Sequence, residues 1–183
     1  MSDKEIHQII EILKNGGVGI LPTDTIYGLV GSALKAGATE RIYKIKGRKT
    51  DKPFIILISS VKDIKYFGIN VKEYKKIFNK YWPGPVSIIL PVIDSRFEYL
   101  HRGTGSIAFR LPKSDFLQRL IKETGPLVAP SANPEGYDPA KKIKEAKEYF
   151  GDKIDFYFDA GRIEGVPSKI IKIENGKEVI IRG

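Results

Sequence analysis

Four cations lie within seven residues of this 183-residue chain, a spacing that suits the binding of a phosphate chain. They are Lys46, Arg48, Lys49 and Lys52. Arginine offers phosphate a two-pronged set of N–H donors, and lysine offers a compact point charge. We therefore predict that this segment handles phosphate.

Small hydroxyl residues recur where an apolar run meets proline or glycine. The five of interest are Thr23, Thr25, Ser106, Ser131 and Ser168. Their hydroxyls can donate to anionic oxygens, and the neighbouring Pro and Gly shape the backbone so that its N–H groups can face an anion. Taken singly, a Pro-Thr-Asp sequence is more often just a turn, and a Ser-Ala-Asn sequence can simply cap a helix. Their combination along the chain is what favours phosphate binding.

Other chemistries are excluded by residues that the chain lacks. It has no cysteine, which rules out disulfides, thiol catalysis and cysteine-based metal sites. Its two histidines, His7 and His101, are too few for a multi-histidine metal site, so no metal ligands are predicted. The G-x-x-x-x-G-K-[ST] pattern is absent, and Gly103–Ala108 leads into a strand rather than the helix that a dinucleotide fingerprint needs.

The net charge of +9 is concentrated in one quarter of the chain. Residues 35–82 hold 13 Lys or Arg and four acids, while the other residues hold 18 of each. Nucleic acid, a nucleotide or another polyanion is the natural partner of such a segment. The alternative is a solvated helix face, which the spacing of Lys72, Lys75, Lys76 and Lys80 also fits.

Strand and helix patterns alternate along the chain and predict a mixed sheet covered by helices. Helices are predicted at 2–16 (capped by Ser2 with Glu5), 39–46, 60–67, 71–81, 114–124 and 139–150. Strands are predicted at 18–21, 54–58, 86–90, 106–111, 127–129, 154–158, 169–173 and 178–182, the last two joined by an Asn175-Gly176 turn. Residues 22–31 are predicted to be a loop.

We expect one domain over residues 1–183, since no linker or repeat divides it. No apolar run approaches the roughly 20 residues of a membrane span, and no secretory signal is evident, so a soluble, cytoplasmic protein is expected.

Six segments join an apolar strand to a loop that carries Pro, Gly and hydroxyl or cationic residues. They are 21–29, 46–53, 82–85, 106–112, 126–133 and, more weakly, 159–168. In open α/β sheets, ligands bind beyond strand ends where such loops converge. We therefore expect these segments to meet at one ligand site.

The ordered set of segments resembles the YrdC/TsaC-type threonylcarbamoyl-AMP synthases. Their motifs P-T-[DE]-T-x-Y-G-L, K-x-R-x-x-x-[KN]-P, W-P-G-P, A-x-R-x-P, A-P-S-A-N and P-S-x-I occur in family order between residue 21 and about residue 171, and Arg182-Gly183 resembles the R-x-G ending. The resemblance implies a mixed α/β, YrdC-like domain. Its twisted, mixed parallel and antiparallel sheet would be covered by helices and would present a concave, basic ligand-binding face. The extra C-terminal domain of longer members is expected to be absent.

The resemblance also implies an activity. Such enzymes are nucleotidyltransferases that join L-threonine, bicarbonate and ATP into L-threonylcarbamoyl adenylate and pyrophosphate, with Mg²⁺ accompanying ATP. The product serves the threonylcarbamoyladenosine modification of tRNA, which implies tRNA threonylcarbamoyl-transfer proteins downstream and leaves tRNA or double-stranded RNA as an optional partner. No membrane partner is implied.

Motif matches assign roles to individual residues. Threonine would be held by Thr25, Arg110, Ala129 and Ser168. Catalysis and triphosphate binding would fall to Lys46, Arg48 and Lys52, and the nucleotide would also contact Ser106, Ser131, Asn133 and Arg182.

Four residues depart from the family pattern: Leu57 replaces a frequent His, Glu135 a small hydroxyl, Ala160 a glycine, and Lys169 the threonine that usually follows Pro-Ser. These departures leave open a divergent paralogue with another substrate. The basic residues 35–82 leave open a non-catalytic YrdC-like RNA-binding protein, and a structural or interaction protein is the third alternative.

Overall fold

The computed structural model describes residues 3–174 and 177–183. Its α-helices are α1 (Asp3–Lys14), α2 (Ala36–Lys46), α3 (Lys75–Tyr81), α4 (Glu98–His101), α5 (Asp115–Thr124) and α6 (Ile143–Phe150). Its strands are β1 (Val18–Pro22), β2 (Tyr27–Ser32), β3 (Ile55–Leu57), β4 (Val86–Pro91), β5 (Ser106–Arg110), β6 (Leu127–Val128), β7 (Phe156–Tyr157), β8 (Lys169–Glu174) and β9 (Lys177–Arg182). Short 3₁₀ helices cover Val61–Phe67, Ser95–Phe97 and Gly151–Lys153.

The strands form one mixed sheet in the order β7-β1-β2-β6-β3-β5-β4-β8-β9. The pairs β1–β7, β3–β5 and β4–β8 are parallel, and the other neighbours are antiparallel. The predicted mixed α/β architecture is therefore confirmed.

Alternate residues of the strands feed two separate hydrophobic clusters, one on each face of the sheet. On β3, Ile56 belongs to the larger cluster and Leu57 to the smaller one. The larger cluster includes side chains of α2, α3, α4, α6 and the Val61–Phe67 helix.

The smaller cluster contains α1 and α5, packed on residues of β1, β2, β3 and β6. No buried residue of β4, β5 or β8 belongs to it. The two helices therefore cover only part of their face, and the part on which Arg110 of β5 stands is left open.

The main error of the sequence prediction is β2, because residues 22–31 were expected to be a loop. Every residue of Tyr27–Ser32 is buried, and the strand pairs with both β1 and β6. A strand buried on both faces shows no alternation of apolar and polar residues, and its two glycines suggest a loop. Tertiary pairing therefore decided the conformation of this segment.

Two predicted helices begin later than expected, and α4 with Ser95–Phe97 was not predicted. Before α3, residues 71–74 form turns with i→i−3 hydrogen bonds such as Tyr74 N–H to the Val71 carbonyl. Before α6, Ala140 donates its N–H to the Ala132 carbonyl at 3.0 Å, so residues 139–142 are drawn to the loop after β6.

Other local predictions are confirmed. Ser114 caps α5 by accepting a hydrogen bond from Leu117 N–H at 3.3 Å. Lys72, Lys75, Lys76 and Lys80 are all exposed, as the solvated-face interpretation requires. The cap at Ser2 and the Asn175-Gly176 turn lie outside the described residues. Among the described residues, none of the helices is both long enough and apolar enough to cross a membrane.

Candidate active site

A small cavity opens on the part of the sheet that α1 and α5 leave uncovered. It has a volume of about 140 Å³ and is lined by residues from five of the six predicted segments. Seven of the predicted site residues line it: Thr25, Arg48, Arg110, Ala129, Ser131, Ser168 and Arg182. Pockets for drug-sized ligands measure roughly 300–1,000 Å³, so this one suits a small polar molecule or one end of a larger one.

The one predicted segment that does not line the cavity is Trp82–Pro85, which was also expected at the ligand site. The Trp82 indole stacks on Phe78 and donates to the Val86 carbonyl at 2.7 Å. The segment therefore fixes the connection from α3 to β4, which corrects the expectation.

Arg110 ends β5 and is 4% exposed at the cavity wall. Its Nη1 donates to Thr25 Oγ1 at 2.9 Å, and its Nη2 lies 3.3 Å from Asp24 Oδ1. Burial lowers its pKa, and the Asp24 carboxylate opposes that shift. The Nε atom is buried without a hydrogen-bond partner among the described residues, so one donor of this guanidinium is unsatisfied.

Arg182 and Ser168 form a second polar unit in the lining of the cavity. The Arg182 guanidinium donates to the Ser168 carbonyl at 2.7 and 3.1 Å and to its hydroxyl at 3.3 Å. That hydroxyl lies 2.9 Å from Ser87 Oγ. The pKa of Arg182 is lowered by its burial and by the nearby Arg48.

Arg48 brings the third guanidinium to the cavity. It lies 5.3 Å above the Phe54 ring, which is itself stacked on Tyr43 at 4.0 Å. Its Nε is buried and has no hydrogen-bond partner among the described residues. Three cations thus surround a cavity whose described lining contains no carboxylate, an arrangement that attracts anions.

Lys46 lies beside the cavity, not in its wall. It is 3% exposed, and its Nζ donates to the carbonyls of Ser131, at 2.6 Å, and Asn133. The pKa of Lys46 is lowered to about 7, mainly by burial and then by Arg48, while Glu135 opposes the shift. In this conformation the side chain holds the Ser131–Asn133 loop and does not line the cavity.

Lys52 and Asn133 are also outside the cavity lining. Lys52 Nζ lies 3.2 Å from Glu135 Oε1, with both side chains more than one third exposed. The Asn133 amide donates to the carbonyls of Pro134 and Tyr137, at 3.0 and 2.6 Å. These bonds shape the loop that follows β6.

Ser106 begins β5 and stands on the same face of the sheet as Arg110, although it does not line the cavity. Leu57 is fully buried in the smaller cluster and does not line the cavity. The role that the motifs assign to Ser106 stays a prediction, as do the roles assigned to the other site residues.

The partners of two site residues could not be read from the sequence, although both residues belong to the P-T-[DE]-T-x-Y-G-L motif. Asp24, whose Oδ2 accepts from Lys113 N–H at 2.9 Å, is the ion-pair partner of Arg110. Tyr27 accepts from Ala160 N–H at 2.9 Å and donates to the Gly161 carbonyl at 2.7 Å, tethering residues 159–168 beside the cavity. Both contacts span more than 85 residues of sequence, so no local pattern signals them.

Among residues 3–174 and 177–183, no cluster of three or more His, Cys, Asp or Glu could hold a metal ion. The residues of the cavity therefore do not fit a protein-held Mg²⁺. A Mg²⁺ ion here would need most of its oxygen ligands from water or from a bound anion.

Comparison with known proteins gives concordant matches. The Sua5/YciO/YrdC family model, described as "Telomere recombination", matches residues 11–183. A Pyrococcus abyssi threonylcarbamoyl-AMP synthase is 31% identical over 93% of this chain and 51% of its own length. One from Marinobacter nauticus is 33% identical over 89% of this chain and 88% of its own length.

The fold comparison agrees. A crystal structure of P. abyssi Sua5 complexed with L-threonine superposes with a TM-score of 0.91 at 29% identity, covering 100% of this chain and 54% of that chain. The chain thus spans about half the length of its Pyrococcus and Bacillus subtilis relatives.

Proposed function

Because this chain belongs to the Sua5/YciO/YrdC family, we propose that it is an L-threonylcarbamoyladenylate synthase, a nucleotidyltransferase. Its substrates would be L-threonine, bicarbonate and MgATP, and its products threonylcarbamoyl-AMP, pyrophosphate and water. The observation that carries the proposal is a small cavity lined by three arginines and, in the part of the chain that the structure describes, by no carboxylate. Relatives that bear this name match nearly the whole chain.

The cavity has the groups that an amino acid needs. Arg110 offers a guanidinium to the threonine carboxylate, and the nearby Thr25 and Ser168 hydroxyls can contact its polar atoms. Ala129 leaves room for the side chain. The related P. abyssi Sua5 forms a complex with L-threonine, which supports threonine as the amino acid.

The chemistry requires no enzyme nucleophile. The threonine amine and bicarbonate form a carbamate with loss of water, a carbamate oxygen attacks the α-phosphorus of ATP, and pyrophosphate leaves. Lys46, Arg48 and Lys52 would neutralise the triphosphate, while Ser106, Ser131, Asn133 and Arg182 would position the nucleotide. Such a site works by orientation and by stabilising the charge that moves onto the leaving group.

The direct test is pyrophosphate release from MgATP with each co-substrate omitted in turn. We expect release that depends on both L-threonine and bicarbonate, together with a product of the mass of threonylcarbamoyl-AMP. Release that continues without threonine would point to a paralogue with another substrate. No release, combined with salt-sensitive tRNA binding that survives Arg110→Ala, would favour a non-catalytic RNA-binding protein.

The remaining assignments belong to the same proposal. The product would serve tRNA threonylcarbamoyladenosine formation through downstream transfer proteins, in the cytoplasm. Direct contact with tRNA or double-stranded RNA is an optional addition that the basic residues 35–82 suggest.

A further inference from the structure

Glu135 connects the two segments that carry most of the predicted phosphate ligands. Its N–H donates to the Lys46 carbonyl at 2.8 Å, and its Oε2 accepts from Lys49 N–H at 3.0 Å. Its Oε1 lies 3.2 Å from Lys52 Nζ. One residue of the loop after β6 therefore binds the 46–52 segment at three points.

The Glu135 carboxylate occupies a position that suits a phosphate oxygen. It accepts a backbone N–H and an ammonium, and its pKa is lowered by Lys49 N–H first, then by Lys52, with a smaller contribution from Arg48. Backbone N–H groups and cations of this kind are what polyphosphates seek in proteins. Without a ligand, the carboxylate already accepts the hydrogen bonds that these donors could give to a phosphate.

A carboxylate and a polyphosphate cannot share these donors. Both are anionic and both only accept hydrogen bonds at neutral pH, so their oxygens repel at contact distance. The Glu135 side chain is 36% exposed and can turn to water, while its backbone bond to Lys46 keeps the loop in place.

We propose that Glu135 is a positioning residue that holds Lys52 before nucleotide binds and is displaced from it by the triphosphate. This inference rests on the proposed function for its ligand and adds a specificity determinant to it. Glu135 would lower the affinity for polyphosphates and leave that for the monophosphate nearly unchanged. Charge at position 135 would then set how readily the triphosphate is taken up and pyrophosphate released.

The first experiment compares wild type with Glu135→Gln by calorimetric titration of tripolyphosphate, ATP and AMP. Glutamine keeps an oxygen for Lys49 N–H and removes the charge. We expect tripolyphosphate and ATP to bind about three- to tenfold more tightly, an effect that shrinks in high salt, with AMP changed less than about twofold. Unchanged or weaker tripolyphosphate binding would overturn the proposal.

The matched control is Glu174→Gln. Glu174 is an exposed acid whose Oε1 lies 2.8 Å from Lys172 Nζ, so the variant removes the same charge from a similar pair on β8. Tripolyphosphate affinity should stay within about twofold of wild type. An equal gain in both variants would reduce the effect to net charge and refute a role for Glu135.

The second experiment separates charge competition from loop structure. In a Lys52→Gln background, Glu135→Gln should lose most of its effect on tripolyphosphate affinity, because the competed cation is gone. A gain of the same size with and without Lys52 would contradict the proposal.

Neither experiment depends on turnover. A wild type that binds tripolyphosphate but makes no threonylcarbamoyl-AMP would refute the proposed function and leave this inference standing. If wild type makes the product and Glu135→Gln leaves tripolyphosphate binding unchanged, the proposed function stands and this inference is refuted. A wild type that does not bind tripolyphosphate would also overturn the inference.

Discussion

At the scale of single residues, the guanidinium of Arg110 is the group on which threonine binding should depend most. Its two outer nitrogens face Thr25 and Asp24, and its Nε has no hydrogen-bond partner in residues 3–174 and 177–183. Arg110→Lys keeps the charge beside Asp24 and loses the planar fork. We expect threonine affinity to fall at least about tenfold, measured by calorimetry, with folding retained.

The control for Arg110→Lys is Arg96→Lys, which makes the same change in an exposed pair with Asp94. It should leave threonine binding unaltered, since surface ion pairs contribute about 0–1 kcal/mol. Equal threonine affinity in wild type and Arg110→Lys would remove Arg110 from the amino-acid site.

Lys46 should make the stability of the protein depend on pH. Burial lowers its pKa from 10.5 to about 7 in the folded protein. Between these values the folded protein holds a neutral amine while the unfolded chain stays protonated, so the unfolded chain binds more protons and stability rises with pH. Below about pH 7 the ammonium is charged in both states, and its burial carries its full cost.

Lys46→Met removes this titration. The free energy of unfolding of wild type minus that of the variant should increase by up to about 1.4 kcal/mol per pH unit above pH 7, measured by urea denaturation. Lys44→Met, at an exposed position of the same helix, is the control and should keep the pH dependence of wild type. A difference that does not change with pH would show that Lys46 does not titrate in this range.

At the scale of elements, residues 159–168 run beside the cavity without regular structure and are held by a few contacts. Two are the hydrogen bonds to Tyr27 already described, and another is the packing of Gly165 on the backbone of Thr25. A Cβ at Gly165 would overlap with the Thr25 carbonyl oxygen, so any side chain there must displace the segment.

Gly165→Ala should therefore weaken threonine binding at least about tenfold and increase protease cleavage within residues 159–167. The matched control is Gly37→Ala in α2, where an added Cβ meets nothing within 4 Å. That variant should bind threonine normally and be as stable as wild type or up to about 1 kcal/mol more stable. Normal binding and protection in Gly165→Ala would mean that the segment does not shape the site.

At the scale of the whole molecule, one face of the sheet has two parts: the part covered by α1 and α5 contributes to stability, and the part with the cavity serves binding. Leu13 of α1 is fully buried in the smaller cluster with α5, while the cavity lies beyond these helices. Leu13→Ala should lower the free energy of unfolding by about 2–5 kcal/mol, measured by urea denaturation. Threonine affinity of the folded variant should be unchanged.

Exposed Glu11 on the same helix supplies the control, and Glu11→Ala should alter stability by less than about 1 kcal/mol. Loss of threonine binding in folded Leu13→Ala would show that the helix-covered region and the cavity are coupled.

The sequence by itself determined the type of fold, most elements and the chemical character of the site. Helix periodicity, the Ser114 cap and the apolar strands are local signals, and they predicted a mixed sheet covered by helices. The clustered cations and ordered motifs predicted an anion site formed by separate segments, and seven of the predicted residues line one cavity.

Only the tertiary structure decided which of those residues face the cavity. Lys46 turns to the Ser131 and Asn133 carbonyls, and Lys52 turns to Glu135. The strand β2 and the Asp24–Arg110 pair likewise depend on partners far along the chain. Local sequence specifies which groups are available, whereas burial and long-range hydrogen bonding select the partner that each group takes.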